Sequence, residues 1–208
     1  MKNHLIIPVL ILTFACSTEP TKTDEVEISV EQVSNPSDLL FGEAEDLFIK
    51  GKRVEAGQKL SFGIVELKKE LINTAGVTAQ RRDSICFFLE ELADKIEDSN
   101  EDVSEPELVS ALYRAQLMTA HDYIVFSARH ISNNELDSAE VSIIHATNKM
   151  INSIGKAEGQ SKTTLQVIHS DTETVLNKLD NRFQRDVTQI RYKLEDVKRK
   201  LKELVEGI

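Results

Sequence analysis

Residues 161–206 read SKTTLQVIHSDTETVLNKLDNRFQRDVTQIRYKLEDVKRKLKELVE, without a proline or a glycine. Along this run Leu165, Ile168, Thr172, Val175, Leu179, Phe183, Val187, Ile190, Leu194, Val197, Leu201 and Leu204 follow one another at steps of three or four residues. That spacing lines one face of a helix. The steps alternate as in a heptad, except around Phe183, where steps of four succeed one another; such a stutter locally unwinds a supercoil. The spacing predicts a long C-terminal helix of coiled-coil type over 160–208, about 69 Å long at 1.5 Å per residue if 161–206 is unbroken. Glu195–Arg199 and Asp196–Lys200 add favourable pairs one turn apart. A stripe this long must be buried. It either folds along other helices of the same chain or pairs with a second one, and in the latter case Leu179, Phe183, Val187, Ile190, Leu194, Val197 and Leu201 are the partner-binding residues.

The same periodicity continues upstream. Asn35-Pro36 places proline at a helix start. Helices are expected over about 37–50 (Leu39, Leu40, Ala44, Leu47, Phe48 inward), 53–72, 78–97 (Ile85, Phe88, Leu89, Leu92, Ile96 inward), 104–131 and 135–154. Ser104-Glu105-Pro106-Glu107 has the form of a capping box, and Asn133-Asn134 reads as a turn. With 8 Gly, 4 Pro and no Trp in 208 residues, the chain lacks the turn punctuation of a β-sandwich. The fold class is therefore all-α: antiparallel helical hairpins forming a bundle over 36–157, followed by the long helix.

The N-terminus has a different character. Met1-Lys2-Asn3-His4 is a cationic start, Leu5 to Phe14 is apolar apart from Pro8 and Thr13, and Ala15-Cys16-Ser17 follows. The apolar stretch is shorter than the ~20 residues of a membrane span and has the length of a signal-peptide core. A small residue before a cysteine at the end of such a stretch resembles the lipobox of bacterial lipoproteins. Thr13 stands where that pattern prefers an aliphatic residue. The resemblance implies removal of a signal peptide, residues 1–15, and lipidation of Cys16 with diacylglycerol and fatty acyl chains such as palmitate. It also implies a cell-envelope location, with Ser17 favouring the outer membrane. Two or more acyl chains anchor stably where one does not. Residues 16–35, polar and acidic with Pro20, are expected to be a flexible tether. Cys86, within Ile85-Cys86-Phe87-Phe88-Leu89, is expected to be a buried inert thiol.

Two hairpins share a pattern 83 residues apart: Ala56, Leu60, Gly63, Leu67 and Leu71 correspond to Ala139, Ile143, Ala146, Met150 and Ile154. Together with Ala44 and Gly51, these small-residue positions resemble those of tetratricopeptide-type helical hairpins, a resemblance that implies a protein-binding scaffold. A generic helical hairpin accounts for the same pattern.

Signals for chemistry are sparse. The chain has no GxGxxG, GxxxxGK[ST], GxSxG, HExxH or CxxC. No Glu stands three residues before His121, His130, His145 or His169, so the di-iron bundle pattern is missing. His130 and His145 lie on two arms of one expected hairpin, with His121 as a third candidate. Asp98 to Asp102 begins like a calcium loop, but Val103 and Val109 stand where glycine and glutamate are required. No catalytic residue, cofactor or metal is assigned. The formal net charge of −10 becomes −11 once Lys2 leaves with residues 1–15, which disfavours nucleic acid. Lys178 to Glu206 carries 9 basic and 6 acidic residues, so the tail is mildly basic on an acidic body. The expected function is a non-catalytic, lipid-anchored envelope scaffold with an envelope protein or itself as partner. The alternative is a periplasmic carrier of a small ligand or metal in a bundle pocket.

Overall fold

The computed structural model describes residues 35–72, 79–98, 102–181 and 186–207, all within the compact unit Gln32–Ile208. Residues 1–34, and with them the signal peptide, Cys16 and nearly all of the tether, lie outside the described residues. Those described form seven helices: α1 Pro36–Ile49, α2 Arg53–Ile72, α3 Ala79–Glu97, α4 Glu105–Ser132, α5 Leu136–Lys156, α6 Gly159–Asp180 and α7 Val187–Glu206. The protein is an all-α helical bundle.

Local chemistry sets several of these ends. The Ser104 hydroxyl accepts a hydrogen bond from the Glu107 N–H at 3.4 Å, with Pro106 in the first turn and Arg129 and His130 in the last turn of α4. Asp186 Oδ1 accepts from the Thr188 and Gln189 N–H groups, both at 3.1 Å, and so starts α7. Gly51, at φ 75°, closes the α1–α2 turn with its N–H on the Phe48 carbonyl. Asn134, at φ 63°, turns α4 into α5.

Helices α4 to α7 form a four-helix up-down-up-down bundle. The Ser127 hydroxyl donates to the Ala139 carbonyl at 3.1 Å, and Thr172 to the Met150 sulfur at 3.8 Å. Lys200 pairs with Asp171 at 2.7 Å. Each contact joins antiparallel neighbours. The core of this bundle runs from Leu117 and Ile124 through Ile143, Met150, Ile168 and Val175 to Ile190 and Leu201. A second core joins α1, α2 and α3 to the first half of α4 through Phe41, Leu60, Ile64, Leu89, Ile96, Leu108 and Leu112. At 28 residues, α4 is about 42 Å long, enough to serve both cores.

The C-terminal run is not one helix. It stops at Asp180, restarts at Val187, and α7 folds back along α6 and α4. A single helix would carry half its apolar stripe past the end of the bundle into water. Folding back buries Ile168, Val175, Leu179, Ile190, Leu194, Val197 and Leu201 together. The break falls at the stutter; Phe183 itself lies outside the described residues.

The first helix is also rotated from its expected face. Phe41, Ala44 and Ser37 are buried, Leu47 and Phe48 are half-buried, and Leu39 points outward at 58% exposure. In α3, Cys86 is buried and Phe88 is exposed, the reverse of the expectation for Phe88.

The helix α2 backbone comes close to α1 at Gly63, where an added Cβ would lie 2.6 Å from two Phe41 ring carbons. Gly63→Ala is therefore expected to lose stability, because overpacking of about 1–3 kcal/mol outweighs the ~1 kcal/mol gained in helix propensity. Gly42→Ala, with nothing within 4 Å of the new Cβ, is expected to gain up to about 1 kcal/mol. Urea unfolding of the two variants beside the parent protein checks both signs.

Candidate functional site

Lys149 is a cation in the interior. It stands on the inward face of α5, three residues after Ala146 and four before Ser153, and is 0% exposed. Its ammonium lies 2.9 Å from Asp38 Oδ1 and 3.0 Å from Glu70 Oε2, and donates to the Ser37 hydroxyl at 2.9 Å. Glu70 is held in turn by the start of α1, since its Oε1 accepts the Ser37 N–H at 3.2 Å. A carboxylate at a helix N-terminus is favoured by the helix dipole and supplies an acceptor to an otherwise orphaned N–H. One side chain from the four-helix bundle thus fastens the ends of two helices of the other layer.

Around this triad the polar cluster widens. The Nδ1 atom of His145 and Asn35 Oδ1 are 2.8 Å apart, and the His145 ring stacks on Tyr123 with centroids 5.0 Å apart. Gln116, from the middle of α4, lies against Asp38. Farther along, Lys156 pairs with Glu45. The contacts Asn35–His145, Asp38–Lys149 and Glu45–Lys156 advance in step along both chains, so α1 runs parallel to α5 across a seam of long polar side chains.

Burial holds the Asp38 carboxyl above its ordinary value of 3.8, against the pull of Lys149. Burial likewise pushes His145 below 6.5 and raises the Tyr123 phenol. Asp38 Oδ2, Glu70 Oε2, Gln116 Oε1 and Asn35 Nδ2 are buried and make no hydrogen bond. Glu70 Oε2 is in ion-pair contact with Lys149, but at an angle that forms none. An ammonium clamped by two carboxylates and a hydroxyl, with no exposed surface, cannot meet a dissolved substrate unless the helices part. The arrangement positions helices; it does not present a nucleophile.

The residues singled out in the sequence go elsewhere. Leu179, Ile190, Leu194, Val197 and Leu201 are buried in the chain's own core and Val187 packs against it, so this stripe is not available to a partner. That corrects the partner-binding expectation, and the physical reason is the folding back of α7. His145 joins the Lys149 cluster, whereas His130 pairs with Glu135 and sits edge-on to Phe126 at the far end of α4. The two histidines are not brought together. His121 lies beside Asp122 and lines an open groove of about 610 Å³ between α4 and α7, with Val125, Tyr192, Glu195 and Arg199. Among the described residues, no three His, Cys, Asp or Glu side chains are placed to hold a metal ion, and no helix is long and apolar enough to cross a membrane.

Sequence reasoning passed over Lys149, Asp38 and Glu70. One signal was present: a lysine inside the inward stripe of α5, between Ala146 and Met150. A buried lysine demands carboxylates, but nothing in the chain says that they come from residues 38 and 70. No family model, curated protein or solved structure matches the chain.

Removing the cation leaves the buried carboxyls of Asp38 and Glu70 without their counter-charge. Lys149→Met is expected to cost about 3–5 kcal/mol, the range found when one member of a buried pair is deleted. Adding Asp38→Asn and Glu70→Gln to that variant is expected to recover most of the loss, because neutral amides need no counter-ion. Chemical unfolding of the single and triple variants reads the difference; equal losses would contradict the pairing.

Proposed function

We propose that this protein is a lipid-anchored scaffold of the cell envelope, held to the outer membrane through Cys16, which binds another envelope protein and catalyses no reaction. The signal-like start and Ala15-Cys16 support the anchor. The observation that carries the scaffold reading is on α2 and α3, where Phe62 and Phe87 stand 60% and 61% exposed on a layer whose own core is closed. Aromatic side chains held rigidly in water are the kind of residue that dominates protein interfaces. With the C-terminal stripe enclosed, the surface of α2 and α3 takes over the docking role. The partner surface implied is an apolar one on a second envelope protein.

The groove between α4 and α7 supports a second reading, a small-ligand carrier. Its volume of about 610 Å³ falls within the ordinary range for ligand sites, and its walls combine Val125 and Tyr192 with ion-paired charges. Thermal-shift measurement distinguishes the two, since a ligand bound only by the native state raises the midpoint.

Cys16→Ser is expected to move the protein from the membrane to the soluble fraction and to remove the acyl mass from its N-terminal peptide. Phe62→Ser with Phe87→Ser is expected to abolish the crosslinked complex formed by the full-length chain in envelopes. Stability should stay within about 0.5 kcal/mol, as is usual for exposed positions. Unchanged membrane association, or an unchanged crosslinking pattern, would overturn the corresponding half of the proposal.

A further inference from the structure

The charges of the buried cluster do not balance. Fully ionised, Asp38 and Glu70 bring two negative charges to the single positive charge of Lys149. His145 cannot make up the difference near neutrality, because burial keeps its ring in the uncharged form to lower pH than usual. Net charge in a dry interior is costly. Two buried acceptors, Asp38 Oδ2 and Gln116 Oε1, have no hydrogen-bond donor among the described residues, and one buried donor of the cluster, Asn35 Nδ2, has no acceptor. Asp38 and Gln116 are both at least nine-tenths buried. Among the described residues, Asp38 Oδ2 lacks a donor and the two carboxylates lack a second positive charge, and a proton on Asp38 supplies both.

We propose that folding loads one proton onto the Asp38 carboxyl, so that its contact with Lys149 and Gln116 at the junction between α1, α4 and α5 is a proton-binding latch, its contribution present in acid and lost as pH rises. Protonated, Asp38 serves as a donor to a neighbouring acceptor while Lys149 keeps its contact with Glu70. The groups that feel one another here are Asp38 from α1, Glu70 from α2, Tyr123 from α4, and His145 and Lys149 from α5. Tyr123 stays a neutral phenol throughout the working range, since both burial and the two carboxylates disfavour its anion.

Asp38 and His145 act with opposite signs. Asp38 is raised on folding, so its contribution to stability is complete below the unfolded value of 3.8 and is lost as pH rises through the folded one. His145 is lowered, so its contribution is complete above 6.5 and is lost as pH falls through its folded value. Asp38→Asn removes the first effect and leaves the second. An asparagine keeps the size of the side chain and supplies the missing donor without a proton.

Carbon-13 NMR titration of the Asp and Glu carboxyls of the full-length protein, together with urea unfolding of the parent and Asp38→Asn from pH 4 to pH 8, tests the latch. The Asp38 carboxyl is expected to ionise above 3.8, and the stability of the parent relative to Asp38→Asn is expected to fall as pH rises through that step. The titration needs no variant, so it decides the matter even if Asp38→Asn folds poorly. Asp38 ionising at its ordinary value, or stability curves that run parallel across the range, would overturn the proposal.

Discussion

A buried ammonium is tolerated only where counter-charges and hydrogen-bond acceptors meet it, and that requirement ties this fold together. Lys149 belongs to the four-helix bundle, while Ser37, Asp38 and Glu70 belong to the layer beside it. The two apolar cores are separate, apart from α4, which contributes to each. Hydrophobic burial drives both cores together but is non-directional. It does not say how α1 should be turned against α5. The ion pairs do: with Ser37 and Asp38 brought to Lys149, the helix places Phe41 against Gly63 and turns Leu39 to solvent.

This division of labour bears on what the molecule can do. The α1–α5 seam is made of long polar side chains, Asn35 to His145, Asp38 to Lys149 and Glu45 to Lys156, rather than of interlocking apolar ridges. Such a seam responds to protonation, whereas an apolar interface does not.

Much of the helical framework was legible in the residues. The limits of α2 follow from Gly51 before it and the spacing of Ala56, Leu60, Leu67 and Leu71 within it. The Ser104 cap and the Asn133-Asn134 turn bound α4 as their side-chain chemistry requires. Expectations failed where two elements compete for one side chain. Leu39 has the spacing of a core residue, but Asp38 beside it is drawn to Lys149, and a helix cannot turn both inward. Leu179 through Leu201 has the periodicity of one helix. Steps of three and four register only that a face is apolar, and the face is equally well buried when the helix breaks and doubles back.

What the sequence by itself determined is local: six amphipathic segments, the last of which the structure divides in two, some of their caps, and the apolar face of most of them, because helix formation and capping depend on residues within a turn or two. The tertiary structure alone decided the pairing of Lys149 with Asp38 and Glu70, the return of α7 onto α4 and α6, and the release of Phe62 and Phe87 to solvent. The Lys149–Asp38 pair joins residues 111 positions apart. Those outcomes are set by which faces cover one another and by the cost of leaving a buried charge alone, quantities that no local pattern contains.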